Sequence, residues 1–199
     1  MPSPTKSCSL DPIPTFILKE SLDVHLTYMT AMVNAPLRDG RLPASQKTAI
    51  ITPLLKKPSL DAGDLKSYGP VSNLTFMSKV VERIVAGQLV EYLQSSGLMP
   101  RLQSPYRRHH STETASLRVL SDIFCAAGRQ HVTLLGLLDL SDAFDCVDHN
   151  ILIHRLQRSF GFAGTVIAWI QSFLCDRTQQ VSYADGLPAI IQLAFGVPQ

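Results

Sequence analysis

The chain has 199 residues, 45% of them hydrophobic, and a formal net charge of +2. This length and apolar content suit one sizeable core with a small second lobe, and the charge gives bulk electrostatics no strong case for a nucleic-acid partner. The four cysteines lie far apart with no C-x-x-C pair, which indicates neither a zinc site nor a disulfide scaffold. Because no apolar run reaches the roughly 18 residues of a membrane span, we expect an intracellular protein, cytoplasmic or nuclear, without membrane association.

The first predicted element is a helix that follows a proline-rich lead-in. Residues 1–14 hold four prolines and little apolar periodicity, which predicts a flexible segment. The next apolar residues recur at spacings of four, three and four, which predicts one face of a helix: Leu22, Leu26, Met29 and Val33. Pro36 is expected to stop or kink that helix.

A strand, a loop and a long helix are predicted next. KTAIITPLLKK, residues 47–57, is rich in β-branched residues but contains Pro53, which favours an edge strand leading into a basic turn. SLDAGDLKSYGP is predicted to be a loop. From Met77 to Leu93 apolar residues recur at helical spacing, and Gly97 together with Pro100 closes the segment.

The second half alternates helices and strands irregularly. The polar stretch QSPYRRHHSTET precedes a helix that Ser111 or Thr112 is expected to cap, with one apolar face made by Leu117, Leu120, Phe124 and Ala127. HVTLLGLLDL, residues 131–140, is apolar almost throughout, as is typical of a strand covered on both faces. Helices at 149–159 and 163–175 and two strands, QQVSY and AIIQLAF, follow. The mixture indicates an α+β fold.

An acidic cluster begins at the end of the apolar strand, where Asp139 is the last charged residue of the strand. A buried charge costs several kcal/mol unless it is paired or bound to a cation. One explanation for an aspartate at position 139 is therefore that its carboxylate binds a metal or a substrate. The other is that Asp139, Asp142, Asp145 and Asp148 only cap the following helix. A calcium loop fits badly, because the D-x-D-x-D-G spacing is absent.

Four ordered motifs carry a resemblance to a known family. LLDLSDAFDCVDH is similar to the first palm motif of reverse transcriptases from non-LTR retrotransposons, the long interspersed elements. The segment ITPLLKKPSLDAGDLKSYGPVSNL resembles their fingers segment, QSPYRRHHSTET their next motif, and FGVPQ the start of their VPQGS motif. The resemblance covers roughly residues 10–199.

The resemblance implies an RNA-directed DNA polymerase that transfers nucleotides with two Mg²⁺ ions. Its partners would be an RNA template, a DNA primer and deoxynucleoside triphosphates. Asp139 would be a catalytic metal ligand, with the backbone carbonyl of Leu140 as a second contact. In fold terms it implies a partial right-hand polymerase, with fingers at about 40–128 and an incomplete palm at about 129–199 behind the lead-in.

Further roles follow from the same resemblance. Lys56, or its neighbour Lys57, aligns with the fingers lysine that contacts the triphosphate, although a solvated strand-end lysine is the alternative. Phe144 matches the steric gate against a ribose 2′-hydroxyl, or is an ordinary core aromatic. Gln199 falls on the glutamine of the VPQ motif, near the nucleotide. Arg107 and Arg108 match a template-facing motif, or form a solvated surface.

Two departures from the family pattern bear on activity. Gly69 stands where relatives carry the arginine of YRPVS, and the charge of Asp142 should repel the triphosphate. No A-D-D or Y-x-D-D string occurs in the sequence, so the catalytic hairpin and thumb are expected to be missing. We therefore expect a truncated fragment that is inactive on its own. The alternatives are a segment of an intact polymerase that is active at full length, and a non-enzymatic RNA-binding remnant of the fingers surface.

Overall fold

The computed structural model of the protein describes residues 8–140, 143–182 and 189–197. Helices and strands follow one another irregularly along these residues. Their bounds are α1 (Thr15–Glu20), α2 (Leu22–Asp39), β1 (Thr48–Leu55), β2 (Tyr68–Asn73), α3 (Phe76–Ser95), α4 (Thr112–Gly128), α5 (His149–Phe160), α6 (Gly164–Leu174), β3 (Arg177–Val181) and β4 (Ile191–Leu193). Short 3₁₀ turns precede β1 and β2. No helix among the described residues is long and apolar enough to cross a membrane.

The strands form one small mixed sheet in the order β2-β1-β3-β4. β1 is antiparallel to β2 and parallel to β3, and β3 is antiparallel to β4. The prediction of an edge strand is therefore wrong, since β1 is an interior strand. Its proline is tolerated because the pairing with β3 covers only Thr48–Ile51, while Pro53 lies opposite Pro70 of β2 at a position where neither residue has an N–H to donate.

The helix predicted from Leu22 to Val33 is confirmed, but Pro36 does not stop it. α2 continues to Asp39 and ends at Gly40, whose φ of +62° lies in the left-handed region that glycine adopts readily. The Pro36 carbonyl still accepts the Gly40 N–H, so the proline removes one donor without ending the final turn.

The other helices also appear where periodicity predicts them. α4 begins after Ser111, whose hydroxyl accepts from the Thr114 N–H while the Thr114 side chain accepts from the Ser111 N–H, a reciprocal capping box. α5 begins after Asp148, whose carboxylate accepts from the Ile151 N–H at 2.9 Å. Asp148 is thus the helix cap that the capping hypothesis requires.

The chain divides into two compact units, and the division falls inside α3. The first unit comprises Met1–Ile84 and Asp142–Gln199, and the second comprises Val85–Ser141. In the first unit, buried residues of the sheet and helices form the core: Val33, Leu42, Ala49, Ile50, Ile51, Leu74, Val81, Phe162, Trp169, Ile170 and Leu174. In the second unit, no residue among 85–140 is buried.

The strand predicted at 131–140 is absent from the structure, so that prediction is wrong. The segment has no regular secondary structure, and its apolar side chains face solvent, with Val132 100% and Leu138 99% exposed. A strand needs a neighbour to accept and donate its backbone hydrogen bonds, and within the described residues the four strands pair only with one another. Apolar composition without such a neighbour leaves the segment irregular.

Candidate active site and nucleic-acid surface

The turn at residues 144–147, within the acidic cluster, is hydrogen bonded to the last described segment of the chain. The Gly196 N–H donates to the Val147 carbonyl at 2.9 Å, and the Val197 N–H donates to the Phe144 carbonyl at 3.0 Å. His149 Nε2 lies 2.8 Å from the Gly196 carbonyl, and since a carbonyl only accepts, Nε2 carries the proton. We call this arrangement of residues 144–149 and 196–197 the junction.

Gly196 is the position that permits so close an approach. Its φ is +83°, and a Cβ there would lie 3.0 Å from the Asp145 carbonyl oxygen and 3.1 Å from the Phe144 carbonyl oxygen. These atoms are backbone and cannot swing aside. A side chain at position 196 would therefore both strain the local backbone and push the two segments apart.

Phe144 is held by its backbone, while its side chain is 49% exposed. That exposure places the ring between a core aromatic and a free surface group, and its role as a steric gate stays a prediction. Gln199 and Asp142, which are predicted to lie near the triphosphate, are outside the described residues, as is Pro198.

Asp139 and Leu140 lie in the irregular segment of the second unit, and both are exposed. Within the described residues, no group of three or more His, Cys, Asp or Glu side chains could hold a metal ion. A carboxylate with one neighbouring carbonyl supplies too few oxygens to hold Mg²⁺ by itself. The role of Asp139 and the Leu140 carbonyl as metal ligands stays a prediction.

The two predicted fingers positions lie side by side in the first unit. Leu54 is paired with Gly69 across β1 and β2, and a Cβ on Gly69 would lie 3.8 Å from Cγ and 3.9 Å from Cε of Lys56. The Lys56 Nζ donates to the Lys66 carbonyl at 3.2 Å. Lys56 is exposed, as is Lys57. The structure thus brings Lys56 and the substituted arginine position together, at ordinary van der Waals distance.

Arg107 has a local structural role. Its Nη1 donates to the carbonyls of Pro100 at 3.3 Å, Arg101 at 3.2 Å and Gln103 at 3.5 Å. The guanidinium therefore stabilises the preceding turn. Arg108 is exposed, and its carbonyl lies 3.0 Å from His110 Nδ1. Of the two arginines predicted to contact template, only Arg108 presents its side chain outward.

Sequence reasoning missed Arg177, the first residue of β3. Its side chain is 1% exposed, Nη1 donates to the Phe173 carbonyl at 3.0 Å, and the guanidinium carbon lies 4.8 Å from the Phe173 ring centre. Nε and Nη2 have no hydrogen-bond partner among the described residues. An arginine beside a QQV strand reads as a surface residue in sequence, so no pattern indicated its burial.

Burial shifts the charge equilibria of Arg177 and Glu82. Burial lowers the pKa of the Arg177 guanidinium, and the negative charge of Glu82 partly offsets that effect. Burial raises the pKa of the Glu82 carboxyl, against the opposing positive charges of Arg177, Lys79 and Arg83. The first unit thus holds two partly desolvated groups of opposite charge.

A cavity of about 410 Å³ lies beside the junction. Its lining combines the sheet with the turn: Ala49, Ile51, Pro70, Ser72, Asp145, Arg177, Gln179, Val181, Leu193, Phe195, Gly196 and Val197. Its volume is within the range of small-molecule sites, and its lining joins apolar side chains to a few polar groups, as such sites do. We call it the sheet cavity.

A family model fits most of this chain. The model described as "Reverse transcriptase (RNA-dependent DNA polymerase)" matches residues 55–199, which include the fingers positions, the apolar segment with Asp139 and the junction. The chain belongs to the reverse transcriptase family.

Curated relatives narrow the comparison to mobile elements. The chain is 29% identical over 177 residues to "RNA-directed DNA polymerase from mobile element jockey" of Drosophila melanogaster, a match to 89% of this chain and 19% of the relative. It is 28% identical over 194 residues to "Probable RNA-directed DNA polymerase from transposon BS" of the same species, which covers 98% of this chain and 21% of the relative. The resemblance to non-LTR retrotransposon reverse transcriptases is confirmed, and the chain spans about a fifth of the length of these relatives.

Proposed function

We propose that the chain supplies the nucleotide-handling part of an RNA-directed DNA polymerase from a non-LTR retrotransposon. The observation that carries this proposal is the junction, where the turn of the first palm motif is hydrogen bonded to Gly196 and Val197. The resemblance assigns both segments to the surroundings of the incoming nucleotide. A single hydrogen-bonded unit made of these two segments is what a nucleotide site built on them requires.

The junction would act by holding Phe144 in place. The Val197 N–H fixes the Phe144 carbonyl, and the approach of Gly196 fixes the backbone around it, so the ring starts from a defined position. A rigid ring can exclude a ribose 2′-hydroxyl by contact, whereas a mobile ring would yield. The sheet cavity beside the junction offers space of the right order for part of a nucleotide.

The remaining roles are proposals of the same kind. Lys56, with Lys57 beside it, would attract the triphosphate, and Arg108 would face the template backbone. Asp139 and the Leu140 carbonyl would be metal ligands in the complete enzyme, which in this family works with two Mg²⁺ ions. The fingers would comprise residues of about 40–128 and the palm those from about 129 onward.

The 199 residues by themselves are expected to give no strand synthesis. Asp139 is one carboxylate where a two-metal site needs several, and Gly69 removes a bidentate contact to phosphate that is worth on the order of 2–4 kcal/mol. Gly69→Arg is expected to restore that contact, and its Cβ would meet Cγ and Cε of Lys56 at ordinary van der Waals distances of 3.8 and 3.9 Å.

The test is primer extension on an RNA template by protein expressed from the open reading frame that contains these residues. Where that reading frame also encodes the remaining metal ligands, we expect DNA synthesis, its loss in Asp139→Asn, and no effect of Asp122→Asn, an exposed aspartate on α4. Phe144→Val should lower the preference for deoxynucleotides by on the order of 10-fold or more. Synthesis that survives Asp139→Asn would refute the assignment of the metal ligand.

The alternative is a non-enzymatic RNA-binding protein. A cleft in the second unit that is lined by Arg101 and Arg118 favours it, because that cleft needs neither the metal ligands nor the junction. RNA binding without extension by the product of the open reading frame would support this alternative over the polymerase.

A further inference from the structure

A side chain, that of His149, takes part in closing the junction. The bonds from the Gly196 N–H to the Val147 carbonyl and from the Val197 N–H to the Phe144 carbonyl are made by backbone groups. By contrast, the 2.8 Å bond to the Gly196 carbonyl is donated by His149 Nε2. A substitution at position 149 can therefore remove this bond and leave the backbone donors and acceptors of the others in place.

The local fold defines where the His149 ring lies. His149 is the first residue of α5, and it directly follows Asp148, whose carboxylate accepts from the Ile151 N–H at 2.9 Å and holds the first turn of the helix. The residue is half-buried. A histidine ring has only two side-chain torsions, so a capped helix start leaves Nε2 few positions to occupy.

The buried Gly196 has both of its polar backbone groups paired at the junction. Its N–H donates to Val147, and its carbonyl accepts from His149. A buried carbonyl that loses its donor is unfavourable, because it has given up water without a replacement. Loss of the imidazole would therefore favour movement of this segment toward solvent.

The same peptide group connects His149 with Phe144. The Gly196 carbonyl and the Val197 N–H are the two ends of one planar peptide unit. One end accepts from His149 Nε2, and the other donates to the Phe144 carbonyl at 3.0 Å. Because the unit is rigid, a donor that fixes its carbonyl also fixes the direction of the N–H that holds Phe144.

We propose that His149 is a positioning residue that holds Phe144 in place through the Gly196–Val197 peptide group, and that it thereby contributes to the discrimination between deoxyribonucleotides and ribonucleotides. His149 acts without touching the nucleotide. Small displacements of a group that orients a substrate can cost much of its effect. The proposal rests on the proposed function for the reaction in which the sugar is selected, whereas the contact of His149 with Gly196 does not depend on it.

The contact is tested by amide hydrogen exchange of the 199-residue protein, measured by mass spectrometry. His149→Leu removes the donor, and His149→Gln keeps an N–H at a similar reach. His154→Leu, at an exposed position of the same helix, is the matched control. Exchange of the Val197 amide should become about 5-fold faster or more in His149→Leu, and should stay within about 2-fold of the wild type in the other two variants.

The positioning role is tested by sugar preference in protein expressed from an open reading frame that also encodes the remaining metal ligands. The ratio of kcat/KM for a deoxyribonucleotide to that for the matching ribonucleotide should fall by about 3–10-fold in His149→Leu and be restored in His149→Gln. His149→Leu should add little to Phe144→Val, because the ring that His149 positions is then absent.

The outcomes separate the contact from the reaction. Unchanged exchange in His149→Leu overturns the proposal whether or not the protein polymerises. Faster exchange with an unchanged sugar preference also overturns it, since the contact would then be only structural, and so do independent effects of His149→Leu and Phe144→Val. Absence of DNA synthesis by the wild type would refute the proposed function and with it the effect on sugar preference, while the exchange result would still decide the contact.

Discussion

β1 and the segment 131–140 are both apolar, yet only β1 is a buried strand. Ile50 and Ile51 of β1 are 6% and 8% exposed, while Leu137 and Leu138 are 85% and 99% exposed. β1 has hydrogen-bonded strands on both sides, and the other segment has none within the described residues. Burial of apolar side chains is favourable for both segments. The backbone can be buried with them only where a neighbouring strand pairs its N–H and C=O groups.

Matched leucine-to-alanine substitutions should give the largest difference in the free energy of unfolding between the two units. Leu174→Ala removes a side chain that is 2% exposed in the first unit and should lower the free energy of unfolding by about 2–5 kcal/mol. Leu138→Ala, in the second unit, should change it by less than about 0.5 kcal/mol. Urea denaturation measures both, and a large loss in Leu138→Ala would show that the segment is buried in solution.

Two glycines provide a second contrast. Gly196→Ala should lower the free energy of unfolding by roughly 1–3 kcal/mol, because its φ of +83° and the backbone atoms at 3.0 and 3.1 Å resist a Cβ. Gly87→Ala, within α3 and with nothing within 4 Å of the added Cβ, should instead raise it by about 0.5–1 kcal/mol. Thermal unfolding monitored by circular dichroism checks the opposite signs. Equal effects would argue against a formed junction.

The buried charges of the first unit predict a pH dependence. The folded-state pKa of Glu82 is raised by burial, so its contribution to stability is full below the ordinary glutamate pKa of about 4.3 and is lost as the pH rises through the folded value. The free energy of unfolding of the wild type, relative to Glu82→Gln, should therefore fall as the pH rises from about 4 toward neutrality.

Urea denaturation at several pH values measures that difference. Glu91→Gln, at an exposed position of α3 in the second unit, is the matched control for the loss of one carboxylate. A difference that rises with pH would mean that the attraction of Arg177, Lys79 and Arg83 outweighs burial.

The exposed segment should affect solubility more than stability. Leu134→Ser with Leu138→Ser replaces side chains that already face solvent, so the free energy of unfolding should stay within about 0.5 kcal/mol of the wild-type value. Self-association, measured by light scattering, should fall because the contiguous apolar surface is interrupted. Unchanged scattering would place the self-associating surface elsewhere.

Periodicity predicted the helices because each carries its apolar residues on one face, which gives them a helical spacing in the sequence. Ser111 and Asp148 could be predicted as caps, since the signal lies within four residues. β2 was missed because YGPVSN contains glycine and proline, and its pairing with β1 is decided by a segment that lies earlier in the chain. The strand at 131–140 was predicted from composition alone, which does not reveal whether a partner strand is present.

Motif resemblance located the candidate site, but not its internal contacts. The family pattern points to Phe144 and to the VPQ segment, yet no sequence rule indicates that His149 donates to the Gly196 carbonyl. Nor could a sequence rule distinguish Arg107, whose Nη1 lies beside three carbonyls of its own loop, from Arg101 and Arg118. Within the described residues, the guanidinium groups of Arg101 and Arg118 make no hydrogen bond or ion pair. These distinctions depend on where backbone carbonyls lie in space.

The parallel pairing of β1 with β3 also sets the order in which the protein can fold. Thr48 and Thr178, whose hydroxyl groups lie 3.1 Å apart, are 130 residues apart in the chain. During synthesis β1 and β2 emerge from the ribosome close in time and can pair. The other edge of β1 stays unpaired until β3 has been synthesised. Closing so long a loop is slow, so this edge is where a nascent chain would need a chaperone or would pair with another copy.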